Sequence, residues 1–83
     1  MYKKNMGAIL AKDKDKFYIL RNRELYNINE IGARIFESCN GKNSIDDIAE
    51  KLLKIFDIDE KTLHSDIQKY ILQLIQLELI REI

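Results

Sequence analysis

The side chains with reactive chemistry are few in this sequence and lie far apart. Cys39 is the only cysteine and His64 the only histidine. A cysteine nucleophile needs a base beside it, and nothing in the spacing of these two residues brings them together. A single cysteine also excludes an internal disulfide and argues against a cysteine-based metal site within one chain. We interpret Cys39 as a buried thiol near a helix end and His64 as a partly exposed helix residue.

Three carboxylates, those of Asp46, Asp47 and Glu50, lie close enough in sequence to suggest acid-base chemistry or a metal site. The stretch from Ser44 to Asp47 resembles a capping box, and acidic side chains stabilise the first turn of a helix. The sequence contains no glycine-rich phosphate loop, no HExxH, no GxSxG and no Cys/His cluster. We therefore predict no catalytic residue, no metal ligand and no cofactor, and a protein that is not an enzyme.

Length and composition predict one globular domain spanning residues 1–83. The chain is 46% hydrophobic and 34% charged, with 14 basic and 14 acidic side chains, which is outside the disordered range. The charges are uneven, since residues 1–34 hold eight Lys and Arg against four Asp and Glu. No long apolar run, secretory signal or lipidation motif is present, so we expect a cytoplasmic protein without membrane association.

The first third of the chain predicts a three-stranded antiparallel meander. Short apolar or aromatic runs cover residues 7–11, 17–20 and 25–28, and polar turns at residues 12–16 and 21–24 separate them. The alternating charges of Lys12–Lys16 are typical of a solvated hairpin tip rather than a phosphate site.

The remainder predicts three helices. Asn29 is a suitable N-cap for a first helix over residues 30–39, and a second helix should run from Ile45 to about Phe56. A third helix follows Asp59 and carries two apolar stripes. The second stripe could be core, a homodimer seam or a ligand groove, and residues 79–83 either continue the helix or form a strand. The first stripe comprises Leu63, Ile67, Tyr70, Ile71, Leu74 and Leu77, and the second comprises Leu72, Ile75 and Leu79.

This element order is an α+β arrangement that is winged helix-turn-helix-like, with a three-stranded antiparallel sheet followed by three α-helices. DNA binding would need a basic recognition helix, whereas the second and third helices are neutral or acidic. We keep a winged-helix nucleic-acid-binding regulator as the alternative. An exposed sheet edge beside an apolar helix instead favours binding of an extended peptide as an added strand.

Residues Tyr18 to Ile80 resemble the PqqD family, the precursor-peptide recognition elements of ribosomally synthesised and post-translationally modified peptides. Glu78 stands where that family commonly has glycine. The resemblance implies non-catalytic binding of a precursor leader peptide and its delivery to a radical SAM enzyme, a leader peptidase or a cyclase. From the helix charges and the hydropathy of the chain we expect no nucleic-acid or membrane partner. It is carried by Ile28-Asn29, Gly32, Ile35-Phe36, Asn40-Gly41, Ser44 to Ile48, Phe56 to Ile58, Asp66-Ile67 and Leu77 to Ile80.

The resemblance also implies a binding site between the third strand and the third helix. Tyr26 and Ile28 share one face of the strand while Leu25 and Asn27 share the other, so only one pair can line a given apolar surface. The strand backbone is therefore the better candidate for binding. Arg21 and Arg23 could pair with acidic leader residues or could simply be exposed in the turn. The implied peptide-binding residues are Arg21, Leu25, Tyr26, Asn27, Ile28, Leu63, Ile67, Tyr70, Ile71 and Leu74.

Overall fold

Five strands and three helices make up the structure, a computed structural model that describes residues 1–83. The helices lack an apolar stretch of the length that a membrane span requires. In chain order the elements are β1 (Tyr2–Lys4), β2 (Ile9–Asp13), β3 (Lys16–Arg21), β4 (Glu24–Ile28), α1 (Glu30–Glu37), α2 (Ile45–Leu53), α3 (Glu60–Gln76) and β5 (Ile80–Glu82).

Strands β2, β3 and β4 form the predicted antiparallel meander, in that order across the sheet. The β3–β4 hairpin has a two-residue loop, because Arg21 pairs with Glu24. Both loop residues have positive φ, 52° at Asn22 and 67° at Arg23, which is the type I′ turn that matches the twist of paired strands. The α+β fold class, a three-stranded antiparallel sheet followed by three helices, is confirmed.

All three helices begin at the polar residues expected to cap them. Asn29 Oδ1 accepts the backbone N–H of Gly32 at 2.8 Å. Ser44 and Asp47 form a reciprocal capping box, and Asp59 accepts the N–H of Thr62 at 3.2 Å. The sequence therefore specifies the starts of the helices through single short-range side-chain contacts.

Helices α1 and α2 end earlier than predicted, at Glu37 and Leu53 rather than near residues 39 and 56. At the end of α1, the N–H of Cys39 donates at 3.1 Å to the carbonyl of Phe36, three residues back rather than four. After α2, the N–H of Ile55 donates to the Leu52 carbonyl three residues back. The chain tightens at that point and leaves the α-helical geometry.

A two-stranded ribbon, absent from the predicted sheet, pairs β1 with β5 antiparallel, so that Tyr2 lies opposite Glu82. The tail after residue 79 is therefore a strand, which resolves the two predicted alternatives. Helix α3 ends in a Schellman motif, in which the N–H groups of Glu78 and Leu79 donate to the carbonyls of Ile75 and Leu74. Glu78 occupies the left-handed position of that motif with φ of 61°, which glycine usually takes.

The hydrophobic core lies between the inner face of the meander and the helices. Ile19 of β3 and Phe36 of α1 are fully buried there. The second apolar stripe of α3 is divided: Leu79 is buried, Ile75 is half-buried and Leu72 stays 61% exposed. A seam between two copies of the chain at Leu72 remains a hypothesis. From the first stripe, Leu63, Ile67, Ile71 and Leu74 are 0 to 2% exposed.

Candidate functional site

Strand β4 is an edge of the meander, since β3 is its only neighbour. The two-residue loop makes Arg21 and Glu24 a hydrogen-bonded pair, and pairs alternate along an antiparallel ladder. Glu24, Tyr26 and Ile28 therefore bond to β3, while the N–H and C=O groups of Leu25 and Asn27 point to the free edge. No backbone hydrogen bond outside the regular elements uses either residue. The edge thus offers two donor and acceptor pairs to an incoming strand.

Helix α3 lies alongside β4 and is tied to it near both ends. The Tyr70 hydroxyl donates to Asn29 Oδ1 at 2.6 Å, just after β4. Just before β4, Arg21 Nη1 donates to the Glu78 carbonyl at 2.6 Å. The helix rises about 12 Å over these eight residues, which matches the roughly 13 Å length of β4. We infer from these two hydrogen bonds that the strand and the second half of α3 run antiparallel, with an edge groove between them that suits about four extended residues.

We call this feature the β4–α3 groove and define it by Tyr26, Ile28, Tyr70 and Leu77. Tyr26 and Ile28 are half-buried and pack against the core from the inner face of the sheet. Tyr70 is also half-buried, and helical spacing places Leu77, 44% exposed, on the same side of α3. Strand alternation and helical spacing thus assign two aromatic and two aliphatic side chains to the groove.

The predicted binding residues divide between the groove, the outer face and the core. Leu25 and Asn27 are exposed on the outer face of the sheet, opposite Tyr26 and Ile28, as the strand alternation predicted. Their backbones belong to the free edge. Leu77 was not among the predicted binding residues. Its position seven residues after Tyr70 could have indicated that both side chains lie on the same side of the helix. Four predicted helix residues support α3 from inside the core and are not open to a ligand: Leu63, Ile67, Ile71 and Leu74.

The Arg21 end of the groove is polar. The Tyr26 hydroxyl donates to Glu24 Oε2 at 2.7 Å. That hydrogen bond, followed by burial, raises the pKa of Tyr26 above its usual value, and the charges of Glu24 and Glu78 act in the same direction. Arg21 faces inward, since its Nε is buried without a hydrogen-bond partner and its Nη1 contacts Glu78.

His64 and Cys39 each have a hydrogen-bond partner elsewhere in the fold. His64 Nε2 lies 2.9 Å from Asp46 Oδ1, an exposed pair that links α3 to α2. Cys39 is fully buried, and its Sγ donates to the Ile35 carbonyl at 3.3 Å rather than to a base. No group of three or more His, Cys, Asp or Glu side chains could hold a metal ion. The sheet edge, with its unpaired backbone groups, is therefore the candidate binding site.

The Cys39 thiol should be unreactive, and the stability of the fold should decrease at alkaline pH because the buried thiol resists ionisation. Burial raises its pKa from the ordinary 9.0 to about 11, against a smaller opposing effect of Lys4. Between these values the thiol ionises only in the unfolded chain, so the free energy of unfolding should fall by about 2 kcal/mol as the pH rises. Urea denaturation at several pH values would measure this. A Cys39→Ala variant with the same loss between pH 9 and 11 would contradict the assignment.

Gly32→Ala should disturb the groove at the Tyr70 end. A Cβ on Gly32 would lie 2.6 Å from Tyr70 Cε1, so the ring must move and its hydrogen bond to Asn29 should break. Alanine would otherwise favour the helix by about 1 kcal/mol, yet we expect a net destabilisation of about 1 kcal/mol in thermal denaturation. A Gly32→Ala/Tyr70→Leu double variant removes the clash and should recover the alanine gain. A single variant more stable than the parent would contradict this contact.

Comparison with known proteins gives one family match and two similar solved structures. The family model described as coenzyme PQQ synthesis protein D (PqqD) matches residues 10–80. A structure described as TbiB1 in complex with the TbiA(beta) leader peptide is 17% identical, with a TM-score of 0.80, over 98% of this chain and 96% of that chain. Lasso peptide synthetase B1 complexed with the leader peptide is also 17% identical, with a TM-score of 0.81, over 98% of both chains. No curated protein sequence matches significantly.

Proposed function

The chain belongs to the PqqD family, as the resemblance of Tyr18 to Ile80 predicted, and on that premise we propose that it binds the leader segment of a ribosomally made precursor peptide. Binding is non-catalytic and adds the leader to the sheet as a strand beside β4. The observation that carries this proposal is the unpaired backbone of Leu25 and Asn27 next to α3. An edge of this kind is the usual site of strand addition.

The groove geometry supports strand addition in two ways. The backbones of two residues can form up to four hydrogen bonds with the peptide, each worth about 0.5–1.5 kcal/mol. Side chains of an extended peptide alternate between its two faces, so every second one would rest on Tyr26, Ile28, Tyr70 and Leu77. Affinity therefore comes from the backbone, and selectivity comes from the residues that enter the groove.

The bound leader is delivered to a separate modifying enzyme, such as a radical SAM enzyme, a leader peptidase or a cyclase, in the cytoplasm where the precursor is made. The leader-peptide complexes described for the two similar structures support the leader-binding step of this proposal. Nucleic-acid binding has no comparable support, because α2 carries three acidic side chains and one lysine, and α3 is balanced. The protein thus acts as an adaptor between a precursor and its enzyme.

Amide NMR would test the proposal with synthetic leader peptides from candidate short precursors encoded near this gene. We expect the largest shifts, and new protection from hydrogen exchange, at Leu25 and Asn27. Glu24, Tyr26 and Ile28 should change less, because their amides already bond to β3. A scrambled peptide is the control. Saturable binding that protects the opposite edge, β2, and leaves Leu25 and Asn27 unchanged would overturn the assigned site.

A further inference from the structure

The fold uses the backbone of Glu78 but does not need its carboxylate. The Glu78 carbonyl accepts hydrogen bonds from Asn5 Nδ2 and Arg21 Nη1, each at 2.6 Å. Its side chain is 80% exposed, with Oε2 3.8 Å from Arg21 Nη1. Glycine would make the same carbonyl contacts and would suit the left-handed backbone better. The carboxylate is therefore an exposed charge, held on a rigid backbone at one end of the β4–α3 groove.

The exposed charge at this end of the groove is negative. Glu24 is exposed and shares one oxygen with the Tyr26 hydroxyl. Arg21 is the nearest cation. Its Nε is buried, and its Nη1 donates to the Glu78 carbonyl and lies 3.8 Å from the Glu78 carboxylate. Arg81 lies on the other side of Glu78 and donates to Asn5 Oδ1 at 3.2 Å. A peptide strand leaving the groove past Glu24 would therefore pass two exposed carboxylates, whereas the neighbouring arginines already have partners in the fold.

We propose that Glu78 is a specificity-determining residue, which selects peptides carrying lysine or arginine at the position beside Glu24. This inference rests on the proposed function, since it requires a peptide strand paired with Leu25 and Asn27. A side chain at that position pointing toward α3 would approach the Glu78 carboxylate, while an acidic one would meet repulsion from both Glu24 and Glu78.

A peptide side chain that paired with Glu78 would be basic, whereas one that paired directly with Arg21 would be acidic. If Arg21 received the peptide, acidic residues would be favoured at the same position. An exposed ion pair is screened by salt and contributes modestly. We therefore expect lysine to bind about two- to fivefold more tightly than glutamine at low ionic strength, with the preference lost at high salt.

A displayed library of random 12-residue peptides would test the proposal without knowledge of the natural precursor. The wild-type protein, Glu78→Gln and Glu78→Lys are each used for selection, with Glu50→Gln as the matched control because Glu50 is exposed on α2. One selected peptide is then synthesised with lysine, glutamine or glutamate at the position beside Glu24, and fluorescence anisotropy gives the three Kd values. Glu78→Gly separates charge from folding, since it should be the more stable protein.

We expect the wild type and the Glu50→Gln control to enrich peptides with lysine or arginine beside Glu24. Glu78→Gln and Glu78→Gly should lose this preference. Glu78→Lys should prefer acidic residues at the same position. Wild-type enrichment of alternating apolar residues without this charge preference would overturn the role of Glu78 and leave the proposed function standing. Enrichment of acidic residues would assign the position to Arg21 instead. No peptide binding at the β4 edge would overturn both proposals.

Discussion

Replacing Asn27 with proline should weaken peptide binding strongly while leaving the protein folded. The Asn27 N–H points away from β3 to the free edge, so the variant removes no hydrogen bond of the sheet. Proline is tolerated at such edge positions, and we expect a stability change of about 1 kcal/mol. The incoming strand would lose one donor and would meet the proline ring. Peptide affinity, measured by anisotropy or calorimetry, should fall about 10- to 100-fold.

Two control variants make this prediction specific. Asn27→Ala keeps the backbone N–H and should bind peptide within about threefold of the wild type, because the Asn27 side chain lies on the outer face. Tyr26→Pro removes an N–H that bonds to β3 and should destabilise the hairpin by about 3 kcal/mol or more. Undiminished binding by a folded Asn27→Pro protein would show that the ligand does not pair with this edge.

Ile67→Glu should unfold the protein rather than alter the groove. Ile67 is 0% exposed in the core cluster, and even Ile67→Ala should lower the free energy of unfolding by about 2–5 kcal/mol. An unpaired buried carboxylate should lower it further. The total loss is then comparable with the whole free energy of unfolding of a domain of this length, about 4–12 kcal/mol. Circular dichroism and urea denaturation should show loss of the cooperative transition at neutral pH.

The neighbouring residue supplies the control for Ile67. Gln68 is exposed on the same turn of α3, and Gln68→Glu should change stability by less than about 0.5 kcal/mol. A folded Ile67→Glu protein that merely binds peptide less well would contradict the burial of Ile67 and would return this residue to the binding surface. Loss of binding is therefore informative only when the fold is measured in the same variant.

Short-range signals made the meander and the helix starts predictable. Asn29, Ser44 and Asp59 each cap a helix through a contact three residues away, and such contacts can be read in sequence. The β1–β5 ribbon could not be predicted in the same way. Its strands have three residues each and pair across nearly the whole chain, so neither periodicity nor a turn signal marks them.

The binding site was harder to predict than the fold, because a stripe of apolar residues on a helix does not show whether it packs against the core or faces a ligand. Leu63 and Ile67 belong to the same apolar stripe as Tyr70, yet they enter the core while Tyr70 packs over Gly32 and bonds to Asn29. That division depends on the tertiary placement of α1. The free backbone groups of β4 depend on the turn type, and neither Asn22 nor Arg23 is the glycine that marks a type I′ turn most clearly.

The two-residue loop between β3 and β4 has a consequence for how such a protein can diversify. A slip of β4 by one residue against β3 would reverse the face of every side chain in the strand. Leu25 and Asn27 would then bond to β3, and the hydrophobic Tyr26 and Ile28 would turn toward solvent. An added loop residue avoids this slip where it forms a three-residue loop with a left-handed bulge residue. Length changes in this loop that keep the binding edge should therefore introduce glycine or asparagine at the bulge position.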